Sequence, residues 1–166
     1  MTIGHRAASF AAATSALAGL VLFAVPAHAA PPLVAAKSVQ NFADDTNLDA
    51  YDGNQVWTRD SSLGYQVWLF NQVETTPEGT GVYTISSTTF PNTCIQDAGT
   101  GAPVTQQPCD RNKLSQRWVV DFGQEQTTIA SYKNLDEVLQ GNGVDTPVTL
   151  VPANKAPNQI WSLYDK

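Results

Sequence analysis

The side chains able to do chemistry here are mostly carboxylates. Asp44, Asp45, Asp49 and Asp52 crowd one short stretch. Paired carboxylates could in principle serve glycoside hydrolysis, but nothing at a suitable spacing beyond these four suggests that use, and an acidic loop is ordinarily solvated. Asp45-x-Asn47-x-Asp49 opens like a calcium loop. Position six is then Ala50 instead of Gly and position twelve is Val56 instead of Glu, so the match fails where the geometry needs it. Both histidines, His5 and His28, fall in the first 29 residues. If that segment is removed, the chain has no base for a Ser-His-Asp or Cys-His nucleophile and no histidine for zinc. We therefore expect no enzyme activity, no metal and no cofactor.

The segment bearing those histidines reads as an export signal over residues 1–29. Arg6 supplies the positive start, Ala7 to Val25 is apolar, and Ala27-His28-Ala29 has the small-x-small form of a cleavage site. Ser9, Thr14, Ser15 and Gly19 dilute the apolar run, and no basic cluster follows it. A retained membrane anchor is therefore the poorer reading. The expectation is a secreted, extracellular protein with no membrane span after removal of the signal. It would have a lead-in over 30–37 and one domain over 38–166. Without Arg6 the nine basic residues fall to eight against 15 acidic, a net charge near −7. Lys and Arg form no cluster, which argues against nucleic-acid binding and against docking on anionic lipid.

The elements that must position these groups are short. Strand-like runs rich in Val, Ile, Thr and aromatics fall near Val39–Phe42, Gln55–Thr58, Val67–Val73, Val82–Ser86, Cys94–Gln96 and Val104–Gln106. Others fall near Arg117–Asp121, Thr127–Ala130, Val138–Gln140, Val148–Val151 and Ile160–Tyr164. Turn residues separate them, as in Asp52-Gly53-Asn54, Pro77-Glu78-Gly79, Gly99-Thr100-Gly101 and Gly141-Asn142-Gly143. No helical period is sustained, so the class is all-β.

A repeat organises the runs. Gln66-Val67-Trp68, Gln116-Arg117-Trp118 and Gln159-Ile160-Trp161 stand 50 and 43 residues apart. A shift of 44 lays Thr84-Ile85 on Thr128-Ile129, Ser87 on Ser131, Gln96 on Gln140, Gly99 on Gly143 and Pro103-Val104-Thr105 on Pro147-Val148-Thr149. The copies span about 38–70, 71–120 and 121–166. Three short hairpin units can close a barrel that none could form alone. Trp68, Trp118 and Trp161 would fill its core, while Gln66, Gln116 and Gln159 would bind turn backbone. Six residues beyond the third copy's length lie between Trp68 and Ile85 and include Thr75-Thr76-Pro77-Glu78-Gly79. They read as a surface loop.

Three in-phase copies ending in Gln-x-Trp resemble the ricin B-type (R-type) lectin domain over nearly the whole mature chain. In the second copy the family pattern is Cys94-Ile95-Gln96-Asp97, then Gly101 to Cys109, then Gln116-Arg117-Trp118. The ricin-like subunits of cytolethal distending toxins are similar as well, through Trp68-Leu69-Phe70, Tyr83-Thr84-Ile85 and Cys94-Ile95-Gln96. The resemblance implies a β-trefoil and a lectin-like role. It also implies a disulfide between Cys94 and Cys109, the one cysteine pair in an exported chain. The third copy has Val138 and Ala153 at those places, and the first is aligned with Asn47 and Arg59.

Sugar sites in that family use an Asp after Cys-Leu, an aromatic two residues before the second Cys, and an Asn before the Gln of Gln-x-Trp. A carboxylate accepts hydroxyl hydrogen bonds, an aromatic face packs against a pyranose, and an amide holds a further hydroxyl. By this resemblance the first copy offers Asp49, Gln55 and Trp57, with Gln66 behind them and Tyr65 where Asn is usual. The second copy offers Gln96, Gln107 and Ser115, and the third Gln140, Val151 and Asn158, neither with an aromatic. The expected partner is a glycan, a galactose-type or related sugar at one degenerate site. The alternative is an adhesion or assembly subunit of a toxin-like complex that binds a protein partner without a sugar site.

Overall fold

The structure, a computed structural model, describes residues 34–61 and 64–166. The expected signal and residues 30–33 of the expected lead-in lie outside these. The strands of the first repeat are β1 (Val34–Asn41), β2 (Asn47–Asp49), β3 (Trp57–Arg59) and β4 (Trp68–Thr75). The second repeat has β5 (Gly81–Ser87), β6 (Thr93–Gln96), β7 (Thr105–Pro108) and β8 (Trp118–Val120). The third has β9 (Gln126–Thr127), β10 (Ile129–Ser131), β11 (Asn134–Gln140), β12 (Thr146–Pro147), β13 (Thr149–Pro152) and β14 (Trp161–Asp165). Single 3-10 turns at Leu114–Gln116 and Pro157–Gln159 precede two of the buried tryptophans. No α-helix occurs among the described residues.

The pairings close on themselves. β1 pairs with β4, β4 with β5, β5 with β8, and β8 with β10. β9, which β10 continues, pairs with β14, and β14 returns to β1. All are antiparallel, so the barrel leaves no open edge. The three remaining hairpins, β2–β3, β6–β7 and β11–β13, cover one end. Barrel and hairpins repeat with approximate threefold symmetry. Trp68 lies opposite Ser87, Trp118 opposite Ser131, and Trp161 opposite Asn41. This is a β-trefoil.

Equivalent residues build the core in layers. Trp68, Trp118 and Trp161 are fully buried, as are Leu48, Ile95 and Leu139 from the hairpins and Val39, Ile85 and Ile129 from the barrel. No one repeat could enclose these faces alone, which is why the triplet is the folding unit.

The lead-in expected over 30–37 is corrected from Val34 onward. Ala35, Ala36 and Lys37 pair with Phe70, Leu69 and Trp68, and Lys37 forms an ion pair with Asp165. The physical reason is barrel closure, because β4 and β14 need β1 between them along this length. β2 was not among the expected strands. Asn47-Leu48-Asp49 is too short and polar to show strand character, and Leu48 alone points into the core. The extra residues between Trp68 and Ile85 extend the β4–β5 hairpin, pairing Glu74 with Val82 and Thr75 with Gly81, so only Thr76–Thr80 forms the turn.

Candidate functional site

The three covering hairpins meet in a ring of backbone hydrogen bonds. Val56 N–H donates to Val104 O at 3.3 Å, Val104 to Val148 O at 2.8 Å, and Val148 to Val56 O at 2.9 Å. The ring fixes which residues are equivalent. Trp57 corresponds to Thr105 and Thr149, and cross-strand pairing then sets Asp49 against Gln96 and Gln140.

Each glutamine of the Gln-x-Trp triplets reaches that last position. Gln66 Nε2 donates to Asp49 Oδ2 (3.2 Å), Gln116 Nε2 to Gln96 Oε1 (3.2 Å), and Gln159 Nε2 to Gln140 Oε1 (3.3 Å). The same amides donate to backbone carbonyls of Ser61, Pro108 and Pro152. The tryptophans follow the same rule, since Trp68, Trp118 and Trp161 donate Nε1–H to the carbonyls of Leu48, Ile95 and Leu139 at 2.9, 3.1 and 3.2 Å. The triplets thus fasten each hairpin to the barrel, and the backbone role expected of the glutamines is present in the geometry. Cys94 and Cys109 are bonded, with Cα atoms 4.9 Å apart.

The symmetry corrects one alignment. The family pattern sets Trp57 beside Gln107 and Val151. Cross-strand pairing puts Arg59 there instead, since Asn47 lies opposite Arg59 as Cys94 lies opposite Gln107 and Val138 opposite Val151. The first repeat is one residue shorter between Asp49 and Trp57 than between Gln96 and Thr105. It is two shorter between Arg59 and Gln66 than between Gln107 and Gln116. Two of its deletions thus fall after β3. Ser61, not Arg59, then stands at the place of Cys109. Trp57 and Arg59 are two apart on one strand and share a face.

Asp49 is fully buried. Its Oδ1 accepts the Tyr51 N–H at 2.7 Å and its Oδ2 accepts from Gln66, so it braces the turn and does not face solvent. Trp57 is partly buried and donates Nε1–H to Gln55 Oε1 at 3.0 Å. Tyr51, 43% exposed, leans on Trp57 with ring centroids 5.0 Å apart and planes at 38°. The Arg59 guanidinium lies over the Tyr51 ring at 4.9 Å, and its Nε donates to Asp145 of the third repeat at 2.8 Å. Asp52 points outward. Its Oδ1 accepts the N–H groups of Asn54 and Gln55, and these bonds, Asn54's foremost, hold its pKa below the ordinary 3.8. The Tyr65 ring is stacked on Phe90 at 6.0 Å, while its carbonyl accepts from Ala50 N–H.

The structure therefore joins Asp49 to Gln66 and Gln55 to Trp57, and turns the Tyr65 ring to Phe90. Tyr51 and Arg59 were missed as members of this cluster. The alternation Trp57-x-Arg59 on a strand was a readable signal for Arg59. Tyr51 had none, because its place depends on a backbone φ of +40° in the turn after Asp49.

The ring of hairpins on a closed barrel is the arrangement of a β-trefoil. The family model described as the ricin-type beta-trefoil lectin domain matches residues 35–161, and the chain belongs to that family. No curated protein matches the sequence significantly. Among solved structures it is similar to the designed threefold-symmetric protein ThreeFoil, with TM-score 0.66, 17% identity, and 79% of this chain and 99% of that one covered. It is also similar to the earthworm R-type lectin C-half in complex with GalNAc, with TM-score 0.57, 19% identity, and coverage of 80% and 99%. The Haemophilus ducreyi cytolethal distending toxin is a further match, with TM-score 0.62, 16% identity, and coverage of 78% and 83%. At these identities the likeness speaks to fold alone.

Proposed function

We propose that this protein is a secreted, non-catalytic carbohydrate-binding module with one sugar site on its first repeat. The observation that carries this is the cluster there. An aromatic residue, Trp57, is oriented by a hydrogen bond to Gln55, while Asp49, braced by Gln66, sets the turn beside it. Tyr65 lines the neighbouring turn. The earthworm relative was crystallised with GalNAc, which supports a galactose-type or related sugar as the ligand class. One shallow site with few polar contacts gives a Kd of order millimolar, about −4 kcal/mol. Titration calorimetry or ligand-observed NMR with galactose, lactose and N-acetylgalactosamine tests this. Saturable binding weakened by Trp57→Ala supports the reading, and no binding of any of the three overturns it.

The burial of Asp49 favours a second reading, in which the protein is an adhesion or assembly subunit of a toxin-like complex. A family carboxylate closed to solvent is what a trefoil using protein contacts in place of sugar would show. Retention of a protein partner by the mature chain, unaffected by free sugars and by Trp57→Ala, would support this second reading.

A further inference from the structure

We infer that the sugar-contacting groups of the first repeat are Tyr51, Asp52 and Arg59 together with Trp57, and that their ligand is a neutral pyranose. This rests on the proposed sugar-binding role of that repeat but assigns its contacts to different residues. Asp49 becomes a positioning residue.

The argument begins from exposure. A buried carboxylate with both oxygens engaged has no face to offer a hydroxyl, whereas Asp52, three residues on, is exposed and uses only Oδ1 on the backbone. The carboxylate is exposed, with the Asn54 side chain beside it, and so can accept from a ligand hydroxyl. Tyr51 and Trp57 present two partly exposed rings in contact, an apolar surface on the scale of one pyranose C–H face. Arg59 shares the strand face of Trp57 and lies on Tyr51. Asp145 engages its Nε, and among the described residues the two terminal nitrogens have no hydrogen-bond partner and can donate. Acceptor, aromatic face and donor therefore adjoin on one loop and one strand. Held at φ +40°, Tyr51 is the hinge of this arrangement, and Asp145, itself at φ +52°, anchors Arg59 from the third repeat. Two carboxylates, Asp52 and Asp145, against the one guanidinium of Arg59 leave the site net negative, so it suits neutral sugars over acidic ones.

The test is ligand-observed NMR titration of the mature protein with lactose and with 6'-sialyllactose. It uses wild type, Tyr51→Asn, Asp52→Asn, Arg59→Gln and a control, Glu78→Gln, in the distant β4–β5 turn. Asn tolerates positive φ, so Tyr51→Asn removes the ring without forcing the backbone, and thermal melts check each fold. The expected result is that lactose binds better than sialyllactose, that each of the three variants weakens lactose binding about tenfold or more, and that the control does not. Wild-type binding of lactose that all three variants retain overturns this assignment and leaves the sugar-binding reading standing. Stronger binding of sialyllactose overturns the neutral class. No binding by wild type overturns the sugar-binding reading itself, and this assignment with it.

Discussion

Gln116 is fully buried and uses both ends of its amide. Nε2 donates to Gln96 Oε1 and Pro108 O, and Oε1 accepts the Asp110 N–H at 2.7 Å. Truncation to Ala removes the partner of the Asp110 N–H and of the Pro108 carbonyl and empties a fully buried place. Gln116→Ala should therefore cost about 1–3 kcal/mol, read as a lower urea midpoint with an unchanged slope. Asp52 gives the second residue-scale expectation. Its folded pKa is depressed, so its contribution is present above the ordinary value of 3.8 and is lost only as pH falls through the lower folded value. A carboxyl-carbon NMR titration should place its midpoint below 3.8, and a midpoint above that value would contradict the hydrogen bonds to Asn54 and Gln55. At this scale the glutamines and tryptophans of the triplets were legible in the sequence, because their spacing is constant and their partners are backbone. Trp57 was legible as an aromatic near the site. Its equivalence to Thr105 was not, because a deletion can be moved along β3 without changing any residue type, and only cross-strand pairing decides where it falls.

The β4–β5 hairpin shows the same limit at the scale of an element. An insertion was readable from residue counts, yet Thr75 and Gly81 pair where a loop was expected, because alternating Glu74, Thr75 and Val82, Tyr83 continue the ladder past the barrel wall. Glu74 at the bulged end of β4 forms an ion pair with Arg117 at 3.1 Å, tying the hairpin to the second repeat. Tyr83 packs edge-on against Phe70 and Phe122 with centroids 6.1 and 4.9 Å away. A Cβ on Gly81 would overlap the Tyr83 phenol, so Gly81→Ala should displace that ring and cost about 1–3 kcal/mol. Burial, and secondarily the negative charge of Asp121, raises the Tyr83 pKa above 10.0. The folded state thus favours the neutral phenol. Its contribution is intact below pH 10 and is lost as pH rises through the higher folded value. Urea midpoints should fall on that alkaline side, and Tyr83→Phe should remove part of the fall.

Across the whole molecule, the threefold pattern explains both what is fixed and what varies. The ring of Val56, Val104 and Val148 and the three tryptophans repeat closely, and these were the features that the 44-residue register exposed. The covalent tie does not repeat. The second hairpin has Cys94–Cys109, whose closed loop has a sequence separation of 15, while the third has Val138 and Ala153 and the first Asn47 and Ser61. Replacing both cysteines by Ala should lower stability by roughly 3 kcal/mol on the chain-entropy model without altering the fold, as measured by urea unfolding and far-ultraviolet circular dichroism. Among the described residues the one covering hairpin with an exposed aromatic cluster is the first, which the third repeat buttresses through Asp145 and through the Gly143 carbonyl that accepts from Thr58 Oγ1 at 2.7 Å.

Mapping a bound sugar onto this hairpin tests the central claim most directly. In a 15N-resolved NMR titration of residues 30–166 with lactose, saturable shifts should concentrate in residues 50–59 and at Tyr65, with the equivalent hairpins around Gln96–Thr105 and Gln140–Thr149 unmoved. Shifts confined to the second or third hairpin, or none at all up to tens of millimolar sugar (about ten times the expected Kd), would contradict it.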